Sequence, residues 1–240
     1  MVAVPGQVGV GNRILSALPS HEFARIQPHL GTVHLEKGKL VYITGDLIQY
    51  VYFPVNGLLS LLSATETGST VEVAMVGNEG IVGLPAVLKK GMISYEVSVQ
   101  VPVDAFRIKA ELLQQEFDRG ERLQEYMLGY THTLIGQIAQ LSICNRFHTI
   151  EKALSRWLLM AGSRVNTNTL SLTQENIANV LGVPRTGVTM AARALQNAGL
   201  IRYSRGNIVI LDLAGLEANS CECYRIIHDE LQQFLRERKP

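Results

Sequence analysis

The chain has 240 residues, 47% of them hydrophobic and 18% charged, with a formal net charge of +1. That length holds two modest domains with cores of their own, and that hydrophobic share excludes general disorder. Three cysteines, Cys144, Cys221 and Cys223, offer no disulfide framework and fit a reducing compartment. The opening MVAVPGQVGVGNR lacks a charged start followed by an apolar block, and the apolar stretch 40–64 is interrupted by Asp46, Gln49, Pro54 and Asn56. Neither a signal peptide nor a membrane span is read from them. The expectation is a soluble cytoplasmic protein with no membrane partner.

Two short helices are expected over 13–18 and 20–29. From about 31 to 108 the pattern changes to short strands at 33–35, 40–43, 50–53, 58–62, 71–75, 94–101 and 105–108. Lys37-Gly38, Gly45-Asp46, Asn56-Gly57, Thr67-Gly68 and Gly77-Asn78 mark the turns. Strands this short and evenly spaced predict a closed or rolled antiparallel domain. A metal-dependent, cupin-like enzyme or ligand-binding barrel is the alternative for such a domain. It needs clustered His and carboxylate ligands, yet no His occurs between 35 and 131. No nucleophile–base pair or phosphate loop stands out, so the reading is not an enzyme.

Residues 110–144 read as helix. Leu123, Met127, Tyr130, Leu134, Gln137 and Leu141 follow the 4-3-4-3-4 spacing of a coiled-coil seam, and Leu128, Thr131, Ile135 and Ile138 form a second apolar stripe. Two stripes need two partners: the helix's own β domain and the same helix of a second subunit in a C2 dimer. The six-residue seam is assigned to the dimer. Residues 145–148 read as a hinge, and 149–161 as a helix carrying Trp157 into the core of the next domain.

Residues 171–210 carry the sharpest signal. Thr173 is an N-cap with Gln174 and Glu175 in the first turn, and Ile177, Ala178 and Leu181 form a narrow apolar face. Gly182 stops that helix and Pro184 starts the next, in which Val188, Ala191 and Leu195 point inward. Arg185, Thr189 and Arg193 lie on another face beside Thr186 and Met190. Leu200-Ile201 and 208–210 are strands around the turn Ser204-Arg205-Gly206-Asn207, with Arg202 nearby. This is a winged helix-turn-helix, which places a helix in the DNA major groove. The DNA-contact set is Thr173, Gln174, Arg185, Thr186, Thr189, Met190, Arg193, Arg202 and Arg205; a guanidinium reads guanine with two bonds, and Thr or Met meets a thymine methyl. Residues 145–210 hold eight Lys/Arg against two Asp/Glu, a local excess suited to phosphate. The last stretch, 213–237, is mostly helix and includes Cys221-Glu222-Cys223. A metal site needs about four ligands, and only Cys144, His228 and Glu222 join that pair as candidates. The reading is no metal: small apolar side chains on a helix face with an exposed thiol, a reactive thiol sensor being the alternative.

The fold class is therefore α+β, with a β-roll sensor domain over 1–110, a long dimerisation helix over 111–145 and a winged helix-turn-helix domain over 146–240. This order resembles the Crp/Fnr family of bacterial transcription regulators. The matching residues are Gly45, the run Tyr52-Phe53-Pro54-Val55-Asn56-Gly57, the run from Gly77 to Gly83, and the segment from Leu172 to Ile201. The resemblance implies an antiparallel roll like a cyclic-nucleotide-binding jelly roll, which senses a signal and reorients the DNA-binding domains through the long helices. It also implies double-stranded DNA and a second copy as partners, RNA polymerase if the protein activates, and an effector pocket including Gly77, Glu79, Gly80, Ile93 and Ser94.

The departures narrow the effector. Cyclic-nucleotide-binding members pair an Arg with Ser/Thr to hold the phosphate; here Ile93-Ser94 stand there, and Lys89 and Lys90 substitute only if their loop folds inward. Burying a phosphate without its cation is costly, so cyclic AMP is not expected. No cysteine precedes residue 144, so the family's four-cysteine iron–sulfur cluster is not expected either. His21, His29, His34 and His132 are available to haem but suggest no site, and the effector stays unidentified. In the recognition helix Arg185 matches the family's guanine-reading Arg. Thr186 replaces a frequent Glu and Met190 a frequent second Arg, so the operator is expected to differ from the family's usual half-site.

Overall fold

The computed structural model describes residues 11–88 and 91–237. The first ten residues and the Lys89-Lys90 pair lie outside them. Helix α1 (Arg13–Ala17) is capped by Asn12, whose carbonyl oxygen accepts from the Ile14 and Leu15 N–H groups at 3.1 and 3.2 Å. The same buried side chain donates to the carbonyls of Pro54 and Gly80 at 2.9 Å each, tying the cap to the β domain. Helix α2 (Ser20–Ile26) follows, with a 3-10 turn over Gln27–His29.

The roll is two antiparallel sheets. Strands β1 (Gly31–Leu35), β3 (Tyr50–Pro54) and β7 (Val103–Lys109) form one, in the order β1-β7-β3. Strands β2 (Leu40–Tyr42), β4 (Leu58–Ala64), β5 (Thr70–Val76) and β6 (Glu96–Val101) form the other, in the order β2-β6-β4-β5. Alternate residues such as Val51, Phe53, Leu59, Leu61, Val97, Val99 and Val103 fill the space between them. All seven expected strands are present. A short helix α3 (Leu84–Val87), absent from the sequence reading, follows Gly83, whose φ of +97° only glycine adopts freely.

The helix expected over 110–144 is two helices, α4 (Ala110–Phe117) and α5 (Arg122–Phe147), separated at Gly120 with φ +74°. The start of α5 is satisfied from afar: the buried Glu22 carboxylate accepts from the N–H groups of Arg122 and Leu123 at 3.2 and 2.9 Å. The expected hinge narrows to His148, where the backbone turns extended after α5. Helix α6 (Ile150–Val165) is capped by Thr149 and runs four residues beyond the expected end. The C-terminal half continues through β8 (Thr169–Ser171), α7 (Gln174–Leu181), α8 (Arg185–Asn197), β9 (Ile201–Ser204), β10 (Asn207–Ile210), α9 (Leu213–Asn219) and α10 (Glu222–Arg236). β8, a strand missed by the sequence reading, completes the sheet β8-β10-β9.

The seam assigned to a partner subunit is buried within the chain. Leu123, Met127, Tyr130 and Leu134 belong to the roll's core, and Leu141 to the core of the C-terminal half. Gln137 donates to the Met75 carbonyl at 3.3 Å, and the Tyr130 and Phe234 rings lie 6.0 Å apart. The stripe turned away from this core is Leu128, Thr131, Ile135 and Ile138, with Leu128 47% and Ile135 61% exposed. Heptad spacing marks a covered face; it does not say what covers it.

Candidate DNA-binding surface

The helix-turn-helix is assembled by local bonds. The Thr173 hydroxyl accepts from the Asn176 N–H at 3.1 Å, and the Thr173 N–H donates to the Asn176 side-chain oxygen at 3.2 Å, closing a capping box. Gly182 ends α7 with φ +64°, and Val183 N–H bonds back to the Ala178 carbonyl at 3.1 Å. Pro184 is the N-cap of α8 rather than its first residue. Val188, Ala191 and Leu195 are buried against the domain core, as their spacing requires. Gly187 has a packing reason: a Cβ there would lie 2.6 Å from Ile150 Cδ1, so the glycine lets α8 approach the start of α6.

Seven of the nine residues expected to contact DNA lie exposed. They are Thr173, Arg185, Thr186, Met190, Arg193, Arg202 and Arg205, Met190 by 74%. Arg205 and Gly206 turn the wing with φ of +48° and +77°, so the two-residue loop places an arginine at its tip. A cleft of about 350 Å³ between α7, the start of α8 and the wing is lined by Thr173, Gln174, Arg185, Tyr203, Ser204, Arg205 and Gly206. Four of the nine expected residues therefore share one cleft; Thr186, Thr189, Met190, Arg193 and Arg202 do not line it. Three are engaged within the protein: the Thr173 hydroxyl caps α7, and the Thr189 hydroxyl donates to the Gln174 side-chain oxygen at 2.9 Å.

The other three lining residues are Ser204 and Gly206, placed by the sequence only in the wing turn, and Tyr203, which sequence reasoning missed. Its N–H donates to Gln196 at 2.8 Å and its hydroxyl to the Leu172 carbonyl at 3.1 Å, which fastens the wing beside both helices. Strand alternation from Ile201 was the available signal for its direction.

Residues 32–119 match the cyclic nucleotide-binding domain and residues 152–219 the Crp-like helix-turn-helix domain, together well over half of the chain. The global nitrogen regulator of Synechococcus elongatus is 24% identical over 190 residues, covering 75% of this chain and 86% of that protein. A solved structure of a crp/fnr-family regulator from Eubacterium rectale has a TM-score of 0.67 at 23% identity, covering 84% of this chain and 94% of its own. FixK2 from Bradyrhizobium japonicum has a TM-score of 0.69 at 15% identity, covering 80% and 98%. The chain belongs to the Crp/Fnr family of DNA-binding transcription regulators.

Within this Crp/Fnr regulator the expected effector residues are split. Glu79 is buried and accepts from the Gly77 N–H at 3.1 Å and from Arg164 Nε of α6 at 2.7 Å. Arg164 also donates to Gln137 of α5 at 3.2 Å. A Cβ on Gly80 would meet the Tyr130 hydroxyl at 2.2 Å, so this glycine makes room for α5. Ile93 is buried in the roll core, and Ser94 is exposed. Gly77, Glu79 and Gly80 thus meet α5 and α6.

A second polar contact joins the two halves. Glu72 of β5 is buried and accepts from Trp157 Nε1 at 3.2 Å and from the Ser60 hydroxyl. Among the described residues its other oxygen has no hydrogen-bond partner, and burial pushes its carboxyl up to about 7. Charge counting along the sequence overstated the basic surface. Arg156 is 2% exposed, and the Arg164 side chain is 6% exposed against Glu79.

Cys144, Cys221 and Cys223 are all buried, and they gather with His148 rather than with His228. His228 lies against the Tyr224 ring, beside a small cavity that Arg164 also lines.

Proposed function

We propose that this regulator binds a palindromic operator as a symmetric dimer, each α8 entering a major groove with Arg185 foremost. The cleft between the start of α8 and the wing carries this reading, since Arg185 and Arg205 stand at one opening where base edge and phosphate lie together. The dimer contact is the outward stripe of exposed Leu128, Ile135 and Ile138 with half-buried Thr131, an apolar seam on the solvent side of α5. Its partners are double-stranded DNA, a second copy of the chain and, if it activates, RNA polymerase; it works in the cytoplasm and catalyses no reaction.

Selection from a random duplex pool tests the reading. The expected product is an inverted repeat whose half-sites are centred about 34–36 Å apart, one helical turn. A monomer in solution, or a pool that enriches no sequence, ends it.

The roll senses a signal other than cyclic AMP. Glu79, the residue placed to hold a ribose hydroxyl, is already bonded to Arg164, and Ile93 brings no cation to a phosphate. Titration calorimetry with cyclic AMP is expected to give no heat of binding; micromolar affinity overturns this part.

A further inference from the structure

The thiol cluster has the composition and spacing of a metal site. Cys144 lies in the last turn of α5, His148 caps that helix, Cys221 is the N-cap of α10, and Cys223 is in its first turn. Their four donor atoms all lie within 4.8 Å of one another. Cys144 Sγ is 3.6 Å from Cys221 Sγ, and Cys223 Sγ is 3.4 Å from His148 Nδ1. A tetrahedral ion with sulfur at about 2.3 Å and nitrogen at about 2.0–2.1 Å has edges of about 3.8 Å between sulfurs and about 3.6 Å between sulfur and nitrogen. The two close pairs fall near those edges. A four-iron cluster, which must hold four irons and four sulfides between its ligands, does not fit inside so small a polyhedron.

We propose that Cys144, His148, Cys221 and Cys223 bind one divalent ion of the zinc class as a closed Cys3His site, stapling the end of α5 to the start of α10. The surroundings are those such a site requires. His148 turns Nδ1 to the thiols while Nε2 faces Glu222 Oε1 at 3.3 Å, the carboxylate partner that fixes a ligating imidazole. Gln140 Nε2 donates to Cys223 Sγ at 3.2 Å and Arg156 Nε to Cys144 Sγ at 3.3 Å. Arg156 is buried, its other bond goes to Met160 sulfur, and among the described residues no carboxylate lies within ion-pair distance of it. Three thiolates around a divalent ion leave one net negative charge, which the buried guanidinium matches. Soft thiolate donors select zinc over magnesium or calcium.

The staple has a structural consequence. Helix α10 carries Phe234 into the core of the roll beside Tyr130, so an ion at its other end fixes the DNA-binding half against α5 at His148. This holds for the family fold whether or not the dimer or operator reading stands.

The test uses the full chain, purified under reducing and anaerobic conditions. Elemental analysis is expected to find one zinc per chain, and cobalt exchange to give thiolate-to-cobalt charge-transfer bands with tetrahedral d–d bands. Cys223→Ser and His148→Ala are expected to abolish stoichiometric binding. Glu222→Gln, an exposed position whose change leaves all four ligands in place, is expected to weaken zinc tenfold to a hundredfold in a chelator competition. His228→Ala is expected to leave affinity unchanged. Trace metal and no cobalt–thiolate bands in the folded, reduced chain overturn the proposal. So does iron accompanied by acid-labile sulfide, a Cys144–Cys221 disulfide under those conditions, or Glu222→Gln binding as tightly as the parent.

Discussion

Helix α5 carries two stripes of the same spacing with opposite surroundings. Leu123, Met127, Tyr130, Leu134, Gln137 and Leu141 are buried against the roll and the C-terminal half, while Leu128, Ile135 and Ile138 face solvent. Apolarity alone does not separate them, because the more polar stripe is the inward one. Polar fit decides: Gln137 bridges the Met75 carbonyl and Arg164, and Tyr130 packs where Gly80 leaves room. A buried amide is tolerated where both its ends are bonded. Among the described residues nothing covers the outward stripe, which suits the proposed contact with another copy.

Adjacent positions break this comparison most cleanly. Ile135→Asp puts a charge into the proposed seam and is expected to halve the mass in sedimentation. Losing the linkage between two half-sites lowers operator affinity by about 10²–10⁴. The melting point of the subunit itself stays put, since Ile135 is 61% exposed. Leu134→Ala is expected to do the reverse. It opens a cavity in the roll core costing about 2–5 kcal/mol, read as a lower melting temperature with dimer mass retained. If Ile135→Asp remains dimeric, the outward stripe is not the interface.

The same contrast explains how much was legible in the sequence. The winged helix-turn-helix was readable because its determinants are local: a cap at Thr173, a left-handed Gly182, a proline at the head of α8 and a glycine in the wing. The seven strands were readable for the same reason. What escaped depends on pairs far apart in the chain, such as Arg164 with Glu79, Trp157 with Glu72, and His148 with Cys223. Arg164 counts as surface charge in a composition and becomes a buried partner only once α6 packs on the roll. His148 lay inside the expected hinge and His228 on the same helix as the cysteine pair, so proximity in sequence favoured the wrong imidazole.

Glu72 sharpens the comparison at the contact between the halves. Its carboxyl is raised to about 7 by burial, above an ordinary 4.5. The fold therefore holds a proton that the unfolded chain has released between these values, so stability is full below about 4.5 and falls as pH rises through 7. The shift corresponds to about 3 kcal/mol. Thermal melts are expected to fall by several degrees from pH 5 to pH 8. Glu72→Gln, which keeps an acceptor for Trp157, is expected to flatten that slope; an unchanged slope assigns it to other groups.

At the DNA surface the two arginines of one cleft are expected to part company. Arg185→Ala is expected to cost about 1–3 kcal/mol on the selected operator and to relax one base position, because a base edge is lost. The loss on random DNA is expected to be smaller. Equal losses on both sequences remove Arg185 from base reading.

Arg205 is the milder case. It stands at the wing tip on a turn with φ +48°, held by neighbouring Gly206 rather than by a helix. A guanidinium there is expected to meet the sugar–phosphate backbone, which has the same charge in every sequence. Arg205→Ala is expected to weaken cognate and random duplexes by the same factor and to reduce the salt slope of log affinity by about one per half-site. A measured change in base preference instead places the wing in a groove, and the cleft then reads sequence from both its walls.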